Sequence, residues 1–359
     1  MKIIIISGFF YPTNAPRAFR TTELVKQFVR LGHDVTLYVP KTGDDIKEFL
    51  SQYHVSIHYY ERKTVCGSKG LFSRIKNRIL TQYAEYPDST IVSELKGKLK
   101  KETGYDLLIT VAMPHPIHWT VGLLYNEGHK IAKKWVADCG DPYMLCGTNR
   151  FKRPFYFKYI EKIWCKHCDY ITVPTKEAIN GYYPEFRNKI RVIPQAFDFS
   201  EVKRKDYHQN PVPTFAFSGN IIPHVRDPRP FLDFLSKIDQ KFKFIMYCSK
   251  HHMVVPYVEK LQGKLVVKDY IPRLDLLNEL SGMDFLINIE NATHVQTPSK
   301  LIDYALTGRP ILSVNPLKLE EKYILRFLKG DYSSRYTVDN IDDYNIVNVA
   351  NKFIKLALK

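Results

Sequence analysis

Short apolar runs alternate with amphipathic segments along this chain. The first run is KIIIIS at residues 2–7, and the amphipathic segment after it extends from about Arg17 to Leu31, where Gly32 ends it. Nearly continuous apolar strands separated by helices are typical of a parallel, doubly wound sheet that is buried on both faces. The pattern therefore predicts an α/β fold.

Two such sheets are predicted. Apolar runs of the first half lie at 2–7, 34–40, 55–60, 105–111, 134–138, 170–174 and 190–194. After a polar, proline-punctuated stretch the pattern restarts, with runs at 214–220, 243–249, 264–269, 284–290 and 310–314. Because 359 residues are many for one core, two domains are expected. We predict two Rossmann-like domains facing across a cleft, with these bounds: N-terminal domain 1–195, linker 196–213, C-terminal domain 214–340, and a helix at about 341–359 that packs back on the first domain.

Charge is the unusual bulk property. The net charge is +16, and more than half of the excess lies in the first 200 residues. Basic chains favour phosphate-rich partners such as nucleic acid, anionic lipid or phosphorylated small molecules. No apolar run reaches membrane-spanning length and the N-terminal run is too short for a signal peptide, so a cytoplasmic protein is expected. Cys165 and Cys168 have the spacing of metal ligands, but without a second close pair a zinc site is not predicted.

Candidate site residues follow the predicted strands, because ligands of doubly wound sheets bind outside the carboxyl ends of the strands. In the first domain these residues are Gly8, Arg17, Arg20, His115, His118, Asp138 and Asp141. In the second domain they are Gly219, His224 and Arg226. The dinucleotide fingerprint GxGxxG is absent, which counts against NAD or FAD. Cations, carboxylates and neutral polar groups together suit a phosphorylated, hydroxylated ligand.

The stretch TPSKLIDYALTGRPIL at residues 297–312 predicts a helix between two strands. Thr297 suits the N-cap and Gly308 suits the position after the last turn. A helix N-terminus favours an anion; Lys300 adds a cation there, and Asp303 can accept hydrogen bonds from sugar hydroxyls. This pairing indicates a nucleoside diphosphate. The alternative is a surface helix on which Lys300 and Asp303 form a salt bridge.

Four segments resemble the GT-B glycosyltransferases of the family 4 type, particularly bacterial enzymes of surface polysaccharide synthesis. They are GFFYPTNAPRAFRTTELVKQFVRLGHDVTLYVP, KKWVADCGDPYM, CDYITVPTKEAINGYYPEFRNKIRVIPQAFD and PSKLIDYALTGRPIL. The resemblance implies transfer of a sugar from a nucleoside diphosphate donor, with UDP or GDP expected, to a glycan or polyprenyl-diphosphate-linked acceptor. It also implies retention at the anomeric carbon and no bound metal or other cofactor.

The resemblance also implies roles for individual residues. Asp303 takes the place of the acidic residue that binds the ribose, while Lys300 and Arg226 fall near the pyrophosphate positions. Either His115 or His118 corresponds to a histidine that contacts the donor sugar, and Asp138 or Asp141 is a candidate for orienting or deprotonating the acceptor. The predicted donor-binding residues are Gly8, Arg20, Gly219, His224, Arg226, Thr297, Ser299, Lys300, Leu301 and Asp303.

Departures from the family pattern weaken the detailed assignment. The first glutamate of the family's E-x7-E motif would fall at Val295, so its role is unfilled or moves to Glu290. Asp303 stands where glutamate is usual. Two other functions stay open: a sugar-nucleotide epimerase of GT-B-like fold, and a basic nucleic-acid-binding protein, although no nucleic-acid-binding module is present.

Two segments that are rich in basic and aromatic residues suggest a function for the positive charge. In residues 69–80, Leu71, Phe72, Ile75 and Ile79 share one helical face, with Arg74, Lys76 and Arg78 beside it. Residues 150–164 mix bases with aromatic side chains. One hypothesis is peripheral docking on the anionic inner face of the membrane. The other, left equally open, is that both apolar faces pack on the domain's own sheet.

Overall fold

The computed structural model describes residues 1–13, 15–64, 70–145, 153–290 and 299–359. It divides into two compact units. The first comprises Met1–Phe197 together with Asp343–Lys359, and the second comprises Asp198–Asp342. Each unit is built on one parallel sheet with helices between consecutive strands, so the predicted fold class of two Rossmann-like α/β domains is confirmed. No helix of the described residues is long and apolar enough to cross a membrane.

The first unit contains a seven-stranded parallel sheet in the order β3-β2-β1-β4-β5-β6-β7. Its strands are β1 Lys2–Ser7, β2 Asp34–Pro40, β3 Ser56–Tyr60, β4 Tyr105–Ala112, β5 Ala132–Cys139, β6 Tyr170–Val173 and β7 Ile190–Val192. The helices before Phe197 are α1 Pro16–Arg30, α2 Lys47–Gln52, α3 Leu71–Ala84, α4 Ile91–Leu99, α5 Pro116–Asn126 and α6 Phe157–His167. Strand order reverses between β1 and β4, the place where such sheets bind ligands.

The continuous apolar run of β1 is explained by burial on both sheet faces. Ile4 and Ile6 pack in one core cluster, while Ile3 and Ile5 pack in the cluster on the other face. Side chains alternate across a strand, so a strand covered on both faces must be apolar at every position.

The second unit contains a five-stranded parallel sheet in the order β10-β9-β8-β11-β12. Its strands are β8 Thr214–Ser218, β9 Lys243–Tyr247, β10 Leu265–Lys268, β11 Phe285–Ile289 and β12 Ile311–Val314. Its helices are α7 Arg229–Leu235, α8 Val255–Lys260, α9 Arg273–Ser281, α10 Ser299–Thr307 and α11 Glu321–Leu328. Here strand order reverses between β8 and β11, and α10 follows β11 directly in the chain.

The last helix, α12 (Ile346–Ala357), belongs to the first unit. The side chain of Asn345 caps it by accepting a hydrogen bond from the backbone N–H of Val347. Val349 and Phe353 are buried in the same core cluster as Val25 of α1. The apolar stripe of this helix therefore completes one face of the first sheet.

Candidate functional site

Lys300 lies in the first turn of α10 and is the central cation of the candidate site. Its Nζ is buried and has no hydrogen-bond partner among the described residues. It lies 4.7 Å from the centre of the Phe217 ring. Burial, followed by the positive charge of Arg226, lowers the pKa of Lys300 well below its usual value. Among the described residues, the charged group that acts on this ammonium is thus another cation, Arg226.

Gly219, directly after β8, separates the two cations. A Cβ built on Gly219 would lie 3.8 Å from Cδ of Lys300 and 3.9 Å from Nη1 of Arg226. The backbone φ of Gly219 is 150°, a conformation that a side chain would strain. Glycine therefore leaves space between Lys300 and Arg226 where the backbone and a ligand can approach closely.

Arg226 is held in place by a tight loop. The backbone N–H groups of Ile222 and Arg226 donate to each other's carbonyl oxygens at 3.1 and 2.8 Å. The neighbouring carboxylate of Asp227 is bound by Arg229, with distances of 2.9 and 3.0 Å from Nε. His224, predicted to bind the donor, lies exposed at the tip of this loop with φ of 62°.

Tyr304 fastens α10 to the end of β8. Its hydroxyl accepts a hydrogen bond from the N–H of Ser218 at 2.7 Å and donates to the carbonyl oxygen of Ser218 at 3.1 Å. Tyr304 is fully buried. This clamp fixes Lys300 next to Gly219, and neither motif nor spacing signalled it in the sequence.

Asp303 is bound by Arg273, the first residue of α9. Nε and Nη2 of Arg273 donate to the same oxygen, Oδ1, at 3.0 and 2.6 Å. Burial raises the pKa of Asp303, and the charge and hydrogen bonds of Arg273 oppose that rise. The salt bridge between Lys300 and Asp303 that the alternative interpretation predicted is not formed, because Asp303 pairs with Arg273.

Several predicted residues of the same region lie elsewhere or outside the described residues. Thr297 falls outside them, and for Ser299 only the backbone is described. Leu301 is buried in the core between α10 and the sheet. Glu290 accepts a hydrogen bond from Ser313 at 2.8 Å and lines a small cavity of about 210 Å³ beyond β12.

Arg20 and Asp138 form a buried ion pair in the first unit. Arg20 is 1% exposed and donates to Asp138 Oδ1 at 2.9 Å and to the carbonyl oxygen of Pro194 at 2.6 Å. Arg17 and Thr172 bind the same carboxylate. Burial alone would raise the pKa of Asp138, but these partners hold it well below its usual value. The sequence predicted ligand-facing groups here, and the structure instead shows Asp138 bound by Arg17, Arg20 and Thr172. A carboxylate whose pKa is lowered in this way is a poor base.

The two candidate histidines have different surroundings. His118 is fully buried: its Nδ1 lies 2.7 Å from the hydroxyl oxygen of Thr110 and its Nε2 lies 3.3 Å from Sγ of Cys139. Burial lowers its pKa to about 3, so it is neutral. His118 is therefore a core residue, which corrects its predicted place among ligand-facing groups.

His115, just before α5, has a ring nitrogen that can bind a ligand. Its Nδ1 is buried and has no hydrogen-bond partner among the described residues, and its ring packs 4.8 Å from that of Tyr143. Burial is the main cause that lowers the pKa of His115 well below its usual value. Asp141 is exposed. Gly8 is required for packing, since a Cβ there would lie 2.0 Å from Cδ of Pro114.

The sequence matches no protein-family model and no curated protein. Solved structures match nearly the whole chain. A glycosyltransferase from Rickettsia africae is 14% identical, with a TM-score of 0.63, over 99% of this chain and 97% of that one. Anabaena HepE, solved in complex with UDP, is 10% identical, with a TM-score of 0.65, over 99% of both chains. A putative UDP-N-acetylglucosamine 2-epimerase from Listeria monocytogenes is 13% identical, with a TM-score of 0.56, over 98% and 94%. The fold of this chain is that of the GT-B glycosyltransferases.

Proposed function

We propose that this protein is a glycosyltransferase that takes a sugar from a nucleoside diphosphate donor. The observation that carries the proposal is the buried ammonium of Lys300, which has Arg226 across Gly219 and no acidic partner among the described residues. Such an arrangement favours a multiply charged anion. Support also comes from the fold, and one structure of that fold, HepE, holds UDP.

The proposed chemistry uses these two cations on the leaving group. The bond between the anomeric carbon and the diphosphate oxygen breaks, and a bond between the anomeric carbon and the acceptor oxygen forms. A basic oxygen takes the proton of the acceptor hydroxyl. Lys300 and Arg226 would stabilise the negative charge that develops on the diphosphate. Because they supply that positive charge, we propose transfer that needs no bound metal. Retention at the anomeric carbon, which the family resemblance implies, is part of the proposal.

In the first unit we propose His115, and not His118, as the histidine that contacts a sugar substrate. His115 has an unpartnered ring nitrogen, whereas both nitrogens of His118 are engaged. Asp141 is proposed as the carboxylate that orients an acceptor hydroxyl, because it is exposed while Asp138 is saturated. Asp303 is proposed to bind the ribose through Oδ2, since Arg273 occupies Oδ1.

We also propose an acceptor at a membrane surface, in the synthesis of a surface glycan. The apolar stripe of α3 is exposed: the exposed fraction is 91% for Phe72, 52% for Ile79 and 59% for Tyr83. By contrast, Phe157 and Trp164 of α6 are buried in the core of the first unit. Of the two hypotheses left open by the sequence, packing on the sheet thus fits α6, and an interfacial role fits α3.

A nucleotide-binding panel tests the proposal. We expect UDP or GDP, and neither ADP nor CDP, to raise the unfolding temperature. Lys300→Ala should weaken binding of that nucleotide roughly tenfold or more, because a hydrogen bond to a charged group contributes about 1.5–3 kcal/mol. Lys237→Ala, at an exposed lysine after α7, is the matched control and should bind as the parent does. Absence of nucleotide binding, or full affinity in Lys300→Ala, would rule the proposal out.

The Listeria similarity keeps a sugar-nucleotide epimerase as the second candidate function. Both enzymes bind a sugar nucleotide, so binding alone does not separate them. A transferase releases the nucleoside diphosphate only when an acceptor is added. An epimerase instead converts the sugar nucleotide to its epimer without any acceptor, which proton NMR of the reaction mixture detects.

A further inference from the structure

The segment 141–145, just after β5, carries the exposed carboxylate of Asp141 that is proposed above to orient an acceptor hydroxyl. Two residues further on, Tyr143 is buried, and the centre of its ring lies 4.8 Å from the centre of the His115 ring. Burial lowers the pKa of His115, and a hydrogen bond to the backbone of Asp141 opposes that effect. The placement of His115 therefore depends on how firmly this segment is held.

The ring of Tyr143 is fixed from several sides. Its hydroxyl donates to Oε2 of Glu85, the residue directly after α3, at 3.0 Å. The guanidinium of Arg153 lies 3.9 Å from the centre of the ring. Trp119 of α5 and Phe157 of α6 pack edge-on against it, with ring centres 5.4 and 5.7 Å away. These contacts hold the side chain of Tyr143, and the backbone next to it is bound separately.

Glu161, in the middle of α6, binds that backbone. It is only 1% exposed, and its Oε1 accepts a hydrogen bond from the backbone N–H of Met144 at 3.4 Å. Its Oε2 is buried and has no hydrogen-bond partner among the described residues. A carboxyl that is buried with one oxygen engaged is more stable neutral than charged, because burial disfavours the charge.

We infer that Glu161 is a positioning residue of the proposed site. Through the N–H of Met144 it fixes the segment from which Asp141 and Tyr143 project, and Tyr143 in turn fixes the ring of His115. This role rests on the proposed function, in which His115 contacts a sugar substrate.

Glu161 is also the group of this region that changes charge near neutral pH. Burial raises its pKa to about 7, and hydrogen bonding, led by the N–H of Met144, opposes the rise. The positive charge of Arg153 acts in the same direction as the hydrogen bonds. The other titratable groups that face Glu161 stay neutral at this pH because burial raises their pKa values; they are Cys165, Tyr182 and Tyr183.

The packed segment should therefore be held more firmly in mild acid than at neutral pH. Since the pKa of Glu161 lies above the ordinary value of about 4.3, the neutral carboxyl favours the packed state. This stabilisation is complete below about pH 4.3 and is lost as the pH rises to about 7. Within that window, opening of the segment becomes about tenfold more favourable with each pH unit, and above it the pH has no further effect.

NMR of the full-length protein without ligand tests the role between pH 5 and 8.5. The labels are ¹³C in the methionine methyl groups and at Cε1 of the histidine rings. We expect the signals of Met144 and His115 to shift together, with a midpoint near pH 7. His115 itself stays neutral across this range, so a shift of its signal reports a change in its surroundings. Met246, buried in the second unit, should not shift.

Glu161→Gln keeps an oxygen that can accept from Met144 but removes the charge. Both signals should then lose the midpoint near pH 7 and stay where the parent has them at pH 5. The unfolding temperature of this variant should match the parent's at pH 5 and exceed it at pH 8, since a buried charge is removed. Glu185→Gln, at an exposed carboxylate that pairs with Lys162 of the same helix, is the matched control and should titrate as the parent does.

The outcomes separate this role from the transferase proposal. If UDP or GDP binds and depends on Lys300, but the two signals do not titrate together or titrate equally in Glu161→Gln, the role of Glu161 is overturned and the transferase proposal stands. A shift of Met144 without His115 also overturns it, because Glu161 would then stabilise the fold alone. If both signals follow Glu161 and no nucleotide binds, the transferase proposal fails, while the positioning of His115 by Glu161 stands.

Discussion

A buried ammonium group normally has a partner, and at Lys300 the described part of the chain supplies none. Burying an unpaired charge costs several kcal/mol even after relaxation. The Phe217 ring, 4.7 Å away, returns only about 0.5–2 kcal/mol through a cation–π contact. A bound anion would offset this free-energy cost by pairing with the ammonium. Lys300 is therefore better explained by binding than by folding stability.

We expect Arg273 to keep the carboxyl of Asp303 ionised, so that it can accept hydrogen bonds from a ribose. With Arg273→Gln, burial would raise the pKa of Asp303 without opposition, and the carboxyl would be protonated at higher pH than in the parent. A protonated carboxyl accepts ribose hydrogen bonds poorly. We expect the affinity for the nucleoside diphosphate to fall about fivefold or more, and to fall further as the pH is lowered from 8 to 5. Calorimetric titrations across this pH range measure the change.

A ribose-specific readout separates this role from a general structural one. The parent should prefer the ribonucleotide over its 2′-deoxy analogue, and Arg273→Gln should lose that preference, while Arg273→Lys keeps part of it. Arg326→Gln, which breaks the exposed pair with Asp331, is the control and should keep both affinity and preference. An unchanged preference in Arg273→Gln would show that the pair has no part in ribose recognition.

Local sequence singled out candidate site residues but did not predict their surroundings. Lys300 and Asp303 stand out because a capped helix follows an apolar strand. Their separation into two environments depends on Arg273, which lies in another helix, and on Arg226, which lies in another loop. His115 and His118 are three residues apart, and only the packing of α5 against β4 and β5 engages both ring nitrogens of His118.

At the scale of elements, the contact between β8 and α10 holds the site together. Tyr304→Phe removes two hydrogen bonds and leaves the N–H of Ser218 buried without them. We expect a loss of about 1–3 kcal/mol in the free energy of unfolding of the second unit, together with weaker nucleotide binding. Urea denaturation followed by circular dichroism measures the first effect, and calorimetry measures the second.

Tyr247→Phe is the matched control for this prediction. Tyr247 lies in the neighbouring strand β9 and is buried, but its hydroxyl has no partner among the described residues. Removing that hydroxyl should leave the stability unchanged or slightly higher, because an unpaired polar group is removed from the interior. If both phenylalanine variants behaved alike, the clamp would not matter.

Elements were easier to predict than contacts. Continuous apolar runs identify β1, β4 and β11, because a strand buried on both faces tolerates little else. The saturated state of Asp138 was not predictable, since α1 and β6 supply its partners from distant parts of the sequence. The faces of α3 and α6 look alike in sequence, yet tertiary packing buries Phe157 and Trp164 of α6 and leaves Phe72 and Ile79 of α3 exposed.

For the whole molecule, the net charge of +16 combines with the exposed apolar stripe of α3. Arg74 and Lys76 lie on α3 beside the apolar stripe, and each basic residue near an anionic bilayer contributes about 1 kcal/mol. Apolar insertion and charge attraction should therefore act together. Vesicles that contain phosphatidylglycerol should bind the protein at low salt, and high salt should weaken the binding.

The variant Phe72→Ser with Ile79→Ser should lose at least about tenfold in vesicle partition, because each side chain contributes about 1.5–3 kcal/mol when its apolar surface leaves water. Its unfolding temperature should match the parent's, since both side chains are exposed in the free protein. Leu317→Ser, at an equally exposed site of the second unit, should bind vesicles normally. Co-sedimentation with and without phosphatidylglycerol measures all three proteins. If the parent stays in the supernatant at low salt, α3 serves some purpose other than membrane docking.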